Sequence, residues 1–383
     1  MKLSVCIPYK ARLDNLRIAL EALAHQTMDS SEFEVVIGAM EYSTDLTELC
    51  AEFDGRLDII TVNSSREFHI PLARNLAMRS ATGEVVVQMD ADTLLPPSAL
   101  RDLFDRHFAF GQQICVIGQV VGYANNEDGQ VETVELRSYG DHLAALEELA
   151  SAPGWPADPR FQVPHNIPWA FAWTGLIAVP RAAVVARNLY FDETFRGWGV
   201  DDLEWGFRVC ASGLPITLSP QVYALHLPHT RDALANQRTE ERNYERFLAK
   251  WPLRDVELCR FIGDTRANSA WPEYLDALAT AGGAATLGVA VGAVKGERSA
   301  RFGVPLDRAG KPLDDGYTTG FDAPENVTVL PLTGLSTPFR TEEFATVWLE
   351  ESLQRLPEPY RSGVVTEAER VTRSGNVRAR SAA

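Results

Sequence analysis

Two hydrophobic rhythms alternate over roughly the first 100 residues of the chain. Short runs rich in apolar and β-branched residues, at 3–7, 33–37, 57–62 and 84–89, read as buried strands. Between them, apolar positions recur at helical spacing. Leu13, Leu16, Leu20 and Leu23 mark a helix over 12–24, and further helices are predicted over 45–53 and 71–80. Strands alternating with helices predict a mostly parallel α/β sheet covered on both faces. This half reads as a Rossmann-like nucleotide-binding unit.

The rhythm then loosens. Residues 114–137 read as two strands joined near Asn125–Gly129, and 141–150 as a helix. Five prolines between 152 and 168 predict an irregular loop. Trp169, Phe171 and Trp173 alternate, so a strand there would carry all three on one face. They suit either a sugar-stacking wall or, more commonly, core packing. A helix begins at Asp201 and ends near Gly213, and a charged helix spans 239–250. The first domain is expected over 1–252 and a C-terminal extension over 253–365. Within the extension, 282–294 fits a packed strand or a tight helix contact, and 341–356 an amphipathic helix. Residues 366–383 are polar, carry four arginines and read as a disordered tail.

A formal net charge of −16 without clustered Lys and Arg argues against nucleic-acid binding. The five cysteines are scattered, which fits free thiols in a reducing, cytoplasmic setting. No apolar run approaches the roughly 18 residues that span a bilayer, so no integral membrane segment is expected.

Functional groups of such sheets gather at the carboxyl ends of the strands. Those ends carry Pro8-Tyr9-Lys10-Ala11-Arg12, then Glu41, then Asp90-Ala91-Asp92. No glycine-rich dinucleotide or P-loop motif is present. Two carboxylates at a strand end suit a divalent cation, Mn2+ or Mg2+, that neutralises a diphosphate; a capping turn is the plainer alternative. The segment Gly197-Trp198-Gly199-Val200-Asp201-Asp202-Leu203-Glu204 sets three carboxylates beside a ring held between glycines. It is either an acidic helix start, favoured by the helix dipole, or a site that presents the ring. His226 and His229 stand three apart at a strand end and could complete a mixed oxygen and nitrogen site with Asp92. Arg231 would add positive charge for a diphosphate.

Taken together, these stretches resemble family 2 glycosyltransferases of the GT-A fold. Ser4–Arg12 looks like the family's first strand and nucleotide-contacting turn. Arg74-Asn75 and Ala81–Asp92 look like the run into its DxD. Phe191–Asp202 is similar to the GWGxED segment of the galactosyl- and N-acetylgalactosaminyltransferase-like branches, and His226–Asp232 resembles the metal-binding segment of β-1,4-galactosyltransferases. The resemblance covers about 3–250. It implies a GT-A fold with a C-terminal α/β or mainly helical extension.

The resemblance also implies roles. Asp202 would be the catalytic base, while Trp198, Gly199 and Asp201 would line the substrate site. Pro8, Tyr9, Lys10, Arg12, Glu41, Arg74 and Asp90 would face the nucleotide, and Asp92, His226 and His229 would hold the metal. Where the family usually carries Asp-Asp after its second strand, this chain has Met40-Glu41, and Asp201 replaces the usual Glu. The implied activity is metal-dependent, inverting transfer from a nucleotide-sugar, a UDP-sugar above all, to an unidentified acceptor. Galactose or N-acetylgalactosamine is the implied sugar. A metal-dependent sugar-nucleotide hydrolase and a non-catalytic sugar-nucleotide-binding protein are the alternatives. The C-terminal region is a candidate for acceptor binding or homo-oligomer contacts.

Overall fold

The structure, a computed structural model, describes residues 1–122, 135–155, 158–229, 233–283 and 286–379. The turn expected at Asn125–Gly129 and the predicted Arg231 lie outside the described residues. The chain divides into two units, one of residues 1–163 and 168–240, the other of 164–167 and 241–383.

The first unit opens with β1 (Leu3–Tyr9), α1 (Leu13–Ala24), β2 (Phe33–Ala39), α2 (Thr44–Ala51), β3 (Ile59–Asn63), α3 (Ile70–Ser80) and β4 (Val85–Met89). It continues through β5 (Thr93–Leu94), α4 (Ala99–His107), β6 (Cys115–Val121), α5 (Tyr139–Ser151), β7 (Leu176–Pro180), α6 (Arg181–Arg187), α7 (Asp201–Ala211) and β8 (Ile216–His226). α8 (Ala233–Lys250) runs on into the second unit. The eight strands form one sheet in the order β3-β2-β1-β4-β7-β6-β8-β5. The pairs β3/β2, β2/β1, β1/β4 and β6/β8 are parallel; β4/β7, β7/β6 and β8/β5 are antiparallel.

Every residue of β2 and β4 is buried, as expected for strands covered on both faces. One apolar layer joins Leu16, Leu20 and Leu23 of α1 to Val5, Ile7, Val35 and Val87. The opposite layer holds Val36, Val86, Ile117 and Trp205. The alternating Trp169, Phe171 and Trp173 do not form a strand. Pro168–Phe171 is a 3-10 turn, which buries Trp169 and Phe171 and leaves Trp173 exposed.

The second unit contains α9 (Arg254–Ile262), α10 (Asp264–Gly282), β9 (Thr286–Val294), β10 (Glu297–Leu306), β11 (Thr328–Leu330), β12 (Thr346–Leu349), α11 (Tyr360–Val371) and β13 (Val377–Ala379). Its sheet runs β11-β9-β10-β12-β13. Lys295 and Gly296 both take positive φ, 53° and 78°, which matches the tight turn that joins β9 to β10. The buried Glu257 carboxylate accepts from the backbone N–H groups of Thr333, Gly334 and Leu335 at 2.9, 2.6 and 2.8 Å. Burial pushes its carboxyl up to about 6 against those donors.

Two expectations for this region change. The helix read over 341–356 is absent: Val347, Trp348 and Leu349 instead pair in parallel with Ala300, Arg301 and Phe302 of β10. The β-branched and aromatic character there favours a strand over a helix. The tail expected to be disordered from 366 instead completes α11, whose Val364, Ala368 and Val371 form a buried stripe, and then pairs as β13 with β12. Residues 380–383 lie outside the described part.

Gly38 of β2 lets α3 sit directly on the sheet. A Cβ there would lie 2.0 Å from the Ala73 carbonyl oxygen, so any side chain forces backbone apart. Gly38→Ala is expected to lower stability by about 1–3 kcal/mol through overpacking, read as a lower midpoint in thermal unfolding.

Candidate active site at the sheet edge

Since β1, β4, β6 and β8 run in one direction, their carboxyl ends share one edge. Arg12 follows β1, Asp90 and Asp92 follow β4, and His226 ends β8. The start of α7 brings Asp201 and Asp202 to the same neighbourhood, where Arg74 bonds both Asp201 and Asp90.

Arg74 of α3 is the centre of one cluster. Its guanidinium donates to Asp201 at 2.5 Å, to Asp90 at 3.3 Å and to the Thr174 hydroxyl. It also stacks 5.1 Å from the Phe191 ring centroid. The next residue, Asn75, exchanges hydrogen bonds with the Phe191 backbone at 2.8 and 2.9 Å. α3 therefore fixes both the arginine and the chain that leads to Gly197.

Three of the four residues from 197 to 200 take left-handed backbone: Gly197 at φ 76°, Gly199 at 90° and Val200 at 71°. For a β-branched residue such as Val200 this is strained. The bend presents Trp198, 41% exposed, and aims the first turn of α7 at Arg74. Thr239 holds the Trp198 backbone, accepting from its N–H and donating to its carbonyl, both at 3.1 Å. A Cβ on Gly199 would sit 3.4 Å from Glu240, so this glycine serves the bend.

Burial pushes the Asp201 carboxyl up to about 7, against the pull of Arg74 and with the added repulsion of Asp202. Burial likewise raises Asp202 and Asp90. Asp202 accepts from the Leu203 N–H at 2.9 Å and, more loosely, from the Thr174 N–H at 3.4 Å. It keeps part of its surface exposed, unlike Asp201.

The second cluster is Asp92, His226 and His229, each offering one ligand atom, all within 4.8 Å of one another. Asp92 is buried; His226 Nε2 lies 3.7 Å and His229 Nδ1 3.4 Å from its oxygens. Backbone pairing holds the two segments together. Thr93 pairs with His226, and Leu227 N–H donates to the Asp92 carbonyl at 2.7 Å. One carboxylate and two imidazoles are a donor set that fits Mn2+ or a similar borderline ion better than Mg2+. The Arg12 guanidinium is ion-paired with Asp92 and supplies its counter-charge.

The remaining sequence-predicted residues divide. Lys10 lies over the Phe68 ring at 4.8 Å and stays exposed. Glu41 accepts from the Ala11 N–H at 3.0 Å, which holds the loop after β1 at its positive φ of 54°. Tyr9 is 2% exposed and belongs to the core, and its burial raises the phenol to about 12; it does not line the edge as expected. Pro8 is likewise within β1. Arg74 turns to carboxylates rather than outward to a nucleotide, and Asp201 is engaged by Arg74 rather than open to an acceptor. Thr174 escaped the sequence reading. A lone threonine carries no pattern, and its partners are 100 and 28 positions away.

Residues 4–152 match the family model described as glycosyl transferase family 2. A validoxylamine A glucosyltransferase of Streptomyces hygroscopicus subsp. jinggangensis (strain 5008) is 31% identical over 264 residues, covering 65% of this chain and 61% of that protein. The chain thus spans about three fifths of that curated relative. Among solved structures, S. aureus TarS 1–349 in complex with UDP-GlcNAc is similar at 17% identity and TM-score 0.48, covering 72% of this chain and 75% of that one. The mannosyltransferase PcManGT from Pyrobaculum calidifontis, in complex with GDP-Man and Mn2+, is similar at 19% identity and TM-score 0.47, covering 75% and 76%.

Arg74→Ala strips the counter-charge from buried Asp201. The expected loss is about 3–5 kcal/mol of stability, partly recovered by adding Asp201→Asn, measured by calorimetry as a double-mutant cycle.

Proposed function

We propose that this chain, whose residues 4–152 match the glycosyl transferase family 2 model, moves a sugar from a nucleoside-diphosphate donor to an acceptor hydroxyl with inversion. The observation that carries this reading is one sheet edge holding both a cation-ready cluster and a carboxylate pair, Asp201 buried and Asp202 partly exposed. Asp90, raised first by burial, feels the charge of Asp92 from one cluster and of Asp202 from the other. A UDP-sugar is the donor that the sequence resemblance favours.

Asp92, His226 and His229 would hold the Mn2+ or Mg2+, and the bound ion would screen the diphosphate and ease its departure. Lys10 and Arg12, at the end of β1, add positive charge for the phosphates. Asp202 receives the acceptor hydroxyl. The acceptor oxygen bonds to the anomeric carbon from the face opposite the diphosphate. The carbon–oxygen bond to the diphosphate breaks, and its electron pair leaves with the nucleotide. The hydroxyl proton passes to Asp202, and a single displacement inverts the carbon. Thr174 and the Leu203 N–H orient the Asp202 carboxylate for this step.

A carboxylate raised by burial is a stronger base than an ordinary one, and it must be ionised to act. As pH falls through its raised pKa the base protonates and the rate drops. The acidic limb of kcat/KM is therefore expected above the ordinary carboxylate range, because burial raises Asp202. Asp202→Asn should lower kcat by about 100- to 10,000-fold and abolish that limb while UDP binding persists. Unchanged turnover in the variant would remove Asp202 as the base.

Chelator is expected to abolish transfer and Mn2+ to restore it. His229→Ala should weaken Mn2+ binding by more than about tenfold, read by electron paramagnetic resonance of free Mn2+ without substrate. Full activity in excess chelator would exclude the metal site.

A further inference from the structure

The chain has eight tryptophans. Only Trp173, at 38%, and Trp198, at 41%, are exposed. Each is close in sequence to the carboxylate pair or to a group bonded to it. Trp198 leads into Asp201-Asp202, and the residue after Trp173 is Thr174, whose N–H lies 3.4 Å from Asp202 Oδ2.

The chain is bent to bring Trp173 out of the core. Ala172 N–H donates to the Trp169 carbonyl at 3.1 Å, and Trp173 N–H to that of Phe171 at 2.8 Å. The indole is also fixed in place. The Arg160 guanidinium lies 4.5 Å from its ring centroid. Arg160 is itself buried, ion-paired with Asp158 at 2.5 Å, and donates to the carbonyls of Phe171 and Gly118 at 2.8 and 3.2 Å. An indole held by an anchored cation is a rigid surface, unlike a loose surface side chain.

We propose that Trp173 is the floor of the acceptor subsite, and that the acceptor is a saturated, polyhydroxylated six-membered ring. This assignment rests on the glycosyl-transfer reading above. Such a ring offers an apolar C–H face to the indole and hydroxyls to Asp202 and Thr174 at its rim. A lipid chain would need a continuous apolar patch, whereas here the exposed indole lies over a guanidinium and is followed by Thr174, whose N–H donates to a carboxylate. A planar, rigid aromatic holds a ligand at low entropic cost, which leaves the hydroxyl orientation to the polar neighbours.

The test uses the full chain labelled with 5-fluorotryptophan, the Trp173 fluorine resonance being identified by its loss in Trp173→Phe. With UDP and Mn2+ present, methyl glycosides of glucose, galactose, mannose and N-acetylglucosamine are titrated in turn. Sorbitol and a serine-containing peptide serve as comparisons. A saturable shift of the Trp173 resonance with at least one glycoside, and none with sorbitol or peptide, is the expected result. Trp173→Ala should weaken that glycoside about tenfold while Trp173→Phe retains most of the affinity, with UDP binding unchanged in both. If UDP binds and no glycoside moves the resonance, or the peptide moves it instead, the acceptor assignment is overturned by itself. If neither UDP nor GDP binds with Mn2+, the glycosyl-transfer reading falls and the assignment falls with it.

Discussion

One buried guanidinium organises the site. Arg74 stands among buried Asp201 and the partly buried Asp90 and Asp202, and three carboxylates could not gather so closely without such a counter-charge. The arrangement is finely balanced. Arg74 pulls the carboxyl pKa values down while burial pushes them up, and burial prevails for all three acids. The outcome is a set of carboxyls that all hold their protons above the ordinary surface-carboxylate range, Asp201 at about 7.

Much of the rest of the first unit serves to keep that guanidinium in place. Gly38 lets α3 press on β2, and Ala73, whose carbonyl makes that close contact, is the residue before Arg74. Asn75 ties the same helix to Phe191 and thereby to the strained bend at Gly197–Val200. Thr174 links Arg74 to the carboxylate pair from a third direction. Four stretches of sequence therefore meet at one side chain, each fixed by a different local device.

The first 100 or so residues were legible because their signals are local. Alternating strand and helix periods lie within each element, and strand ends in such a sheet point to one edge. The same logic anticipated that Asp92, His226 and His229 would gather, because each stands at a strand end. What stayed hidden depends on contacts between distant residues. Thr174 has no pattern of its own. The alternation of Trp169, Phe171 and Trp173 mimics a strand, yet Pro168 starts a 3-10 turn that sends the rings different ways. Tyr9 sits beside the functional edge in sequence, but its position in the pleat turns the ring into the core. In the second unit, β12 has helical-looking neighbours and gains its pairing only from β10 and β13. The apolar stripe of Val364, Ala368 and Val371 was readable at helical spacing, and the polar residues around it masked it.

The pairing of β5 with β8 has its own thermodynamic meaning. Because Thr93 and Leu227 lock the aspartate segment to the histidine segment through the main chain, the three donors are assembled by the protein's own folding. A cation arriving there orders little backbone, so its affinity would report ligation rather than a disorder-to-order transition. The corresponding signature is a small heat-capacity change on cation uptake, with secondary structure alike before and after.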